Sequence, residues 1–178
     1  MIRRIPAVLS SVLLVGMAVS CGVVDRAFGG LTVTMSSSAM EPTIKQGAQV
    51  SARRTGDGYV PHRGDIVVYR APEDWTTVRA GGTYISRVIG VPGDRVACCD
   101  NASVALQVNG KLVPEPFIAR GPASAKRFDI TVPPDRIWVM SDHRDVALDS
   151  RAEMDKAGGG TIGRSHVLAV VEDWATPR

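Results

Sequence analysis

The sequence predicts an all-β fold, and three observations predict it. Short apolar stretches recur between Gly, Pro, Asn and Asp turn signals, which is the spacing of strands rather than helices. Asn109-Gly110 separates two such stretches and is the strongest hairpin cue in the chain, because both residues accept the left-handed backbone of a tight turn. Helical periodicity is scarce, with 152–157 the one short segment expected to form helix.

The elements follow in order. Leu31-Thr32-Val33-Thr34-Met35 alternates apolar and polar residues with the two-residue period of a strand that buries one face. It leads into Ser36-Ser37-Ser38, a loop that Pro42 closes. A second strand is expected over 49–53, followed by the turn Thr55-Gly56-Asp57-Gly58. Residues 65–70 contain the β-branched run Ile66-Val67-Val68, which favours an extended, buried strand. The polar stretch 73–82 reads as a loop, 83–90 resumes the strand pattern, and Pro92-Gly93-Asp94 turns the chain. From 95 to 134, short apolar stretches alternate with turn signals, which suggests a small inserted β subdomain with a loop at 121–126. Pro133-Pro134 returns the chain to the main sheet at Ile137-Trp138-Val139-Met140, and Gly158-Gly159-Gly160 precedes a last strand, Val167-Leu168-Ala169-Val170-Val171.

With 178 residues and 44% apolar content, the chain is long enough to bury well over half of its unfolded surface in one unit, 31–178. The net charge is +3, and the basic residues are dispersed apart from Arg3-Arg4 and Arg53-Arg54, so no nucleic-acid partner is expected. Residues 1–26 form an anchor or signal segment: Arg3 and Arg4 precede an uncharged run over 5–24, which ends at Asp25-Arg26. Three readings of it stand, in order of preference. About twenty apolar or small residues suffice to cross ~30 Å of hydrocarbon with the arginines held in the cytoplasm. Met17-Ala18-Val19-Ser20-Cys21 resembles a bacterial lipobox, without the usual leucine, and would carry lipid on Cys21. Simple cleavage and secretion is the third. All three place the folded part outside the cytoplasm.

The chain holds 3 cysteines, and Cys98-Cys99 falls on an expected strand, where neighbours point to opposite faces; two half-buried thiols are therefore expected. His62, His143 and His166 lack ligand spacing with the cysteines, so neither a metal nor any other cofactor is expected.

Three blocks carry the chemistry. The first is Ser36-Ser37-Ser38-Ala39-Met40-Glu41-Pro42-Thr43. The second joins Arg63-Gly64-Asp65-Ile66-Val67-Val68-Tyr69 to Tyr84-Ile85-Ser86-Arg87-Val88-Ile89-Gly90-Val91-Pro92-Gly93-Asp94. The third is Met140-Ser141-Asp142-His143-Arg144-Asp145-Val146-Ala147-Leu148-Asp149-Ser150-Arg151. In order and spacing they resemble the type I signal peptidases over 31–171. That family reads Ser-Met-any-Pro-Thr in the first block; Met40, Pro42 and Thr43 match, and Ala39 stands where the resemblance puts the attacking serine. The family's general-base lysine precedes an arginine in the second block, where this chain has Ser86 before Arg87. The third block is similar to Gly-Asp-Asn-Arg-Asp-Asn-Ser-any-Asp-Ser-Arg, with Ala147 at the serine that orients the lysine.

The resemblance implies a twisted antiparallel β core with a smaller inserted β region and an N-terminal anchor helix. It also implies serine endopeptidase chemistry on signal peptides, a hydroxyl attacking a peptide carbonyl while a buried, neutral lysine takes its proton. Alanine has no heteroatom to form an acyl intermediate, and a serine hydroxyl has no accessible basic form near neutral pH. In subtilisin, loss of the nucleophile lowers turnover by about 10⁶. Ala39, Ser86 and Ala147 together remove nucleophile, base and orienter, so catalysis is expected to be absent or severely weakened.

The matching frame is expected to keep a peptide groove built from Ser37, Ser38, Met40, Pro42 and Arg87. Ser37 aligns with a hydroxyl that holds the oxyanion in some members, and the Ala39 N–H survives the substitution. Asp142, Arg144, Asp145, Asp149 and Arg151 are read as paired charges that brace the turn beneath it. The expected partners are signal-peptide-like extended peptides or preproteins, the membrane, and an active paralogue. Two alternatives remain open. One is an active signal peptidase using Ser38 with His143 as base, although a one-residue shift along extended backbone turns a side chain to the opposite face. The other is an envelope lipoprotein that keeps the fold for structure alone.

Overall fold

The computed structural model describes residues 30–99, 105–118 and 121–173. Among these residues, eleven strands form two antiparallel sheets. They are β1 (Gly30–Thr34), β2 (Gln49–Arg54), β3 (Ile66–Arg70), β4 (Thr83–Gly90), β5 (Arg95–Cys98), β6 (Leu106–Val108), β7 (Lys111–Leu112), β8 (Phe128–Thr131), β9 (Arg136–Met140), β10 (Ile162–Gly163) and β11 (Val167–Asp173). The larger sheet runs β1-β2-β11-β3-β4-β9-β10, and the smaller runs β7-β6-β5-β8. The all-β expectation therefore holds, and no α-helix occurs among the described residues.

Strand β3 shows how sequence becomes packing. Ile66, Val67, Val68 and Tyr69 are all buried, because apolar layers cover both faces of the main sheet. Ile66 and Val68 join Met35, Met40, Ile44, Val50 and Val171 on one face. Val67 and Tyr69 point the other way, into a layer with Trp75, Val88, Ile137, Val139 and Ile162. An unbroken β-branched run suits a strand buried on both sides, whereas β2, half exposed, alternates.

The smaller sheet packs through Phe128, Val96 and Leu106 around Trp138, with the Phe128 and Trp138 rings 5.4 Å apart. Gly90 stands at the join. A side chain there would meet Val96 and Val132 at 2.6 and 2.9 Å, so only glycine lets β4 pass this closely. Asn109 and Gly110 both adopt positive φ, 54° and 75°, and close the β6–β7 hairpin as expected.

Two expectations need correction. Residues 152–157 form no α-helix; a 3₁₀ turn covers Ser150–Ala152 and open turns follow. The reason is that Glu153 is drawn inward to accept hydrogen bonds from Thr76 and Thr77, which ends regular backbone bonding. The Cys98 and Cys99 sulfurs are bonded to each other rather than free. Face alternation applies only inside a strand; β5 ends at Cys98, and Cys99 takes a left-handed φ of 68° that brings its side chain back. The stretch 73–82 is a loop, yet Trp75 within it is buried, edge-on to Tyr69 with centroids 6.1 Å apart. The segment 1–26 lies outside the described residues, among which no helix is long and apolar enough to cross a membrane.

Candidate active site

The three sequence blocks converge at one end of the main sheet. After β1 the loop folds on itself: Met35 N–H donates to Ala48 O at 2.9 Å and Gly47 N–H to Met35 O at 2.8 Å. Met40 is fully buried and pins the loop into the core, so the residues beside it, Ser38 and Ala39, stay at a half-buried rim. Pro42 is exposed.

Asp142 ties this loop to β4. Its carboxylate accepts a fork from Arg87, at 2.9 Å from Nε and 2.7 Å from Nη2, and also accepts from the Thr43 hydroxyl. Arg87 and Asp142 are both buried, and Arg87 lies 4.0 Å from the Phe117 ring centroid while donating to Gly64 O at 3.1 Å. A buried pair of this kind holds only because several partners share its charges.

The turn after β9 is braced in the same way. Asp149 accepts from Ser141 N–H at 2.9 Å and takes a fork from Arg151, both arms at 2.8 Å. Arg144 donates to Ser141 O and Ala123 O, and it pairs with Glu115 at 2.6 Å. Four of the five expected bracing residues are thus buried in charged contacts. Asp145 differs: it is exposed and forms no ion pair among the described residues, because Glu115 from the chain before β8 occupies Arg144 instead.

Between the loop and the turn lies a cleft of about 50 Å³ whose wall includes Ser37, Ala39, Tyr69, Ser86, Ser141 and Leu148. Ser86 sits on β4 opposite Val67 of β3. Its Oγ is 2.8 Å from Ser141 Oγ and 3.4 Å from the Tyr69 hydroxyl, and all three residues are buried. Burial, the largest influence, holds the Tyr69 hydroxyl well above the ordinary tyrosine range, so it remains a proton donor. Among the described residues, no side chain lining this cleft carries a charge.

The structure brings Ala39 and Ser86 into the same cleft, with Ser37 beside them. Ala147 does not line it; its neighbour Leu148 does. Ser38 and His143 meet, but through the backbone: the His143 ring Nδ1 is 3.1 Å from the Ser38 carbonyl oxygen, and His143 N–H donates to Ala39 O at 2.9 Å. A carbonyl only accepts, so Nδ1 carries the proton in that contact.

Sequence reading passed over Ser141 and Tyr69. Ser141 had a signal, since it stands where the resembling motif begins with glycine. Tyr69 had none beyond its place at the end of a strand.

The family model of the signal peptidases, peptidase S26, matches residues 7–174. The chain belongs to the type I signal peptidase family. It is 31% identical over 145 residues to a probable signal peptidase I-2 of Synechocystis sp., a match covering 80% of this chain and 62% of that protein. Signal peptidase I of Bacillus amyloliquefaciens is 31% identical over 146 residues, 76% of this chain and 72% of that one. Signal peptidase IB of Staphylococcus aureus is 30% identical over 67% of this chain and 66% of its own length. A crystal structure of a signal peptidase I from Enterococcus faecalis shares the fold, with a TM-score of 0.50 at 24% identity, over 64% of this chain and 98% of that chain. The signal peptidase fold is thus the frame that holds the uncharged cleft.

Proposed function

We propose that this signal peptidase I-like protein binds extended, signal-peptide-bearing segments of preproteins in its cleft while its own endopeptidase step is absent or severely weakened. The residues lining the cleft carry the reading. Beside Ala39, which offers a methyl group to any bound carbonyl, they provide the hydroxyls of Ser37, Ser86, Ser141 and Tyr69, and none of these is a base at neutral pH. The backbone N–H of Ala39 still faces Ser37 Oγ, at a long 3.4 Å, so donors for a carbonyl oxygen are in place. Donors without nucleophile or base favour binding over turnover.

The uncharged run 5–24 supports a membrane anchor with the folded part outside, with lipid on Cys21 as the alternative. Such a protein would present or withhold preproteins for an active paralogue. The competing reading, cleavage by Ser38 with His143, is weakened by the engagement of His143 Nδ1 with the Ser38 carbonyl rather than its hydroxyl. Incubation of the purified full chain with a preprotein decides between them. No cleavage, with binding of the signal-peptide segment, is the expected result; cleavage that disappears in Ser38→Ala overturns it.

A further inference from the structure

We propose that the cleft is selective for a free peptide C-terminus, capturing the α-carboxylate of an already released leader peptide in preference to an uncut chain. This rests on the peptide-groove reading above and names the ligand that the groove prefers.

The first argument is a count of protons. Tyr69, Ser86 and Ser141 bring three hydroxyl hydrogens and share two contacts, at 3.4 and 2.8 Å. Two contacts use two hydrogens. One O–H is left with no acceptor among the described residues, in a group that is almost wholly buried. An incoming acceptor satisfies it. The Ala39 N–H, with only a 3.4 Å contact to Ser37 Oγ, is a second donor on the same wall, and the Ser37 hydroxyl is a third.

The second argument is shape. A carboxylate is a carbonyl with one further oxygen on its carbon, on the side from which a nucleophile would approach. With a serine at 39, its Oγ would contend for that place; Ala39 presents only a methyl group there. A product carboxylate therefore fits this cleft better than it would fit one holding a serine hydroxyl.

The third is charge. No acidic side chain lines the cleft, and the nearby Asp142 and Asp149 are paired with Arg87 and Arg151. Hydrogen bonds to an ionised acceptor are roughly twice as strong as those to a neutral one, so the same donors discriminate acid from amide.

The test measures binding of three peptides to the full chain in detergent by calorimetry. All share one sequence ending in the small-any-small pattern at which leader peptides terminate. The first has a free carboxylate, the second a C-terminal amide, and the third continues through the bond into a further ten or so residues. The expected result is about tenfold tighter binding of the free acid than of either other peptide. That preference should fall towards unity in the triple variant Tyr69→Phe, Ser86→Ala and Ser141→Ala, which removes every hydroxyl hydrogen of the trio, whereas any one of these changes alone still leaves an unshared O–H. Equal or tighter binding of the amide or the extended peptide overturns carboxylate selectivity while leaving the peptide groove standing. Failure of all three to bind overturns the groove reading, and this inference with it. Binding of acetate as tight as that of the free acid also overturns the proposal, since the peptide would then contribute nothing.

Discussion

Ser86 Oγ on β4 and Ser141 Oγ, one residue beyond the end of β9, lie 2.8 Å apart, a buried hydrogen bond between residues 55 positions apart in the chain. The resembling family has a lysine at the first position and a glycine at the second. The two substitutions support each other physically: a buried hydroxyl at 86 needs a hydrogen-bond partner, and the hydroxyl at 141 supplies one.

This coupling governs any attempt to restore chemistry. The combination Ala39→Ser, Ser86→Lys and Ala147→Ser returns nucleophile, base and orienter, but a lysine at 86 meets the Ser141 hydroxyl. Adding Ser141→Gly should therefore raise the rate further, and the fourfold variant is expected to cleave preprotein at least about a hundred times faster than the parent, a small part of what such units contribute. A gel-based cleavage assay with all intermediate variants checks it.

Arg87 and Asp142 form the buried clasp between β4 and the turn that follows β9. Asp142→Ala leaves the Arg87 charge buried without its counterion and frees Thr43, so a loss of about 3–5 kcal/mol is expected. Urea denaturation should show a lower midpoint.

Glu153 accepts from Thr76 N–H and Thr77 N–H at 3.1 and 2.8 Å and from the Thr77 hydroxyl, holding the loop that carries Trp75. Glu153→Gln keeps the shape but turns one acceptor into a donor facing those N–H groups. The expected cost is about 1–3 kcal/mol, with loss of protection at the Thr76 and Thr77 amides in hydrogen exchange.

Asp94 receives Arg63 at 2.6 Å, Val91 N–H at 3.0 Å and Asn109 Nδ2 at 2.9 Å, linking the turn after β4 to the β6–β7 hairpin. Burial alone would push its carboxyl up, but the Arg63 guanidinium and the other donors outweigh it and hold the value below the usual range. Glu153 is likewise pushed up by burial and held low by the Thr77 and Thr76 donors. A depressed native value means the stabilisation is present above the unfolded carboxylate range and lost as pH falls through the native one. Stability should thus decline below about pH 4, and Asp94→Asn should flatten that decline.

The Cys98–Cys99 bond shields both sulfurs from alkylation. Iodoacetamide should modify neither residue in the native chain, and both should react after reduction. Mass spectrometry of the peptide that contains them checks this.

Several parts of this molecule were legible residue by residue. Alternation marked β1 and β2, the β-branched run marked β3, and Asn109-Gly110 marked the hairpin, because each signal lies within a few neighbours along the chain. Trp75 was not legible as core, since its own neighbours are largely polar and its burial comes from residues distant in the chain, Tyr69 among them. The two-residue strand β10 has no pattern to read and exists only through pairing with Ile137 and Arg136. Asp145 looked like a partner for an arginine next to it, but Glu115 arrives from another part of the fold.

By itself the sequence determined where most of the main-sheet strands lie, the family, and the chemical poverty of positions 39, 86 and 147, because those follow from residue identity and local period. Tertiary structure alone decided that Ser86 would find Ser141 and Tyr69, that Arg144 would find Glu115, and that Cys99 would turn back onto Cys98. The first two are meetings across paired strands and loops far apart in the chain, and the third depends on one backbone angle at the end of a strand. No local pattern encodes either.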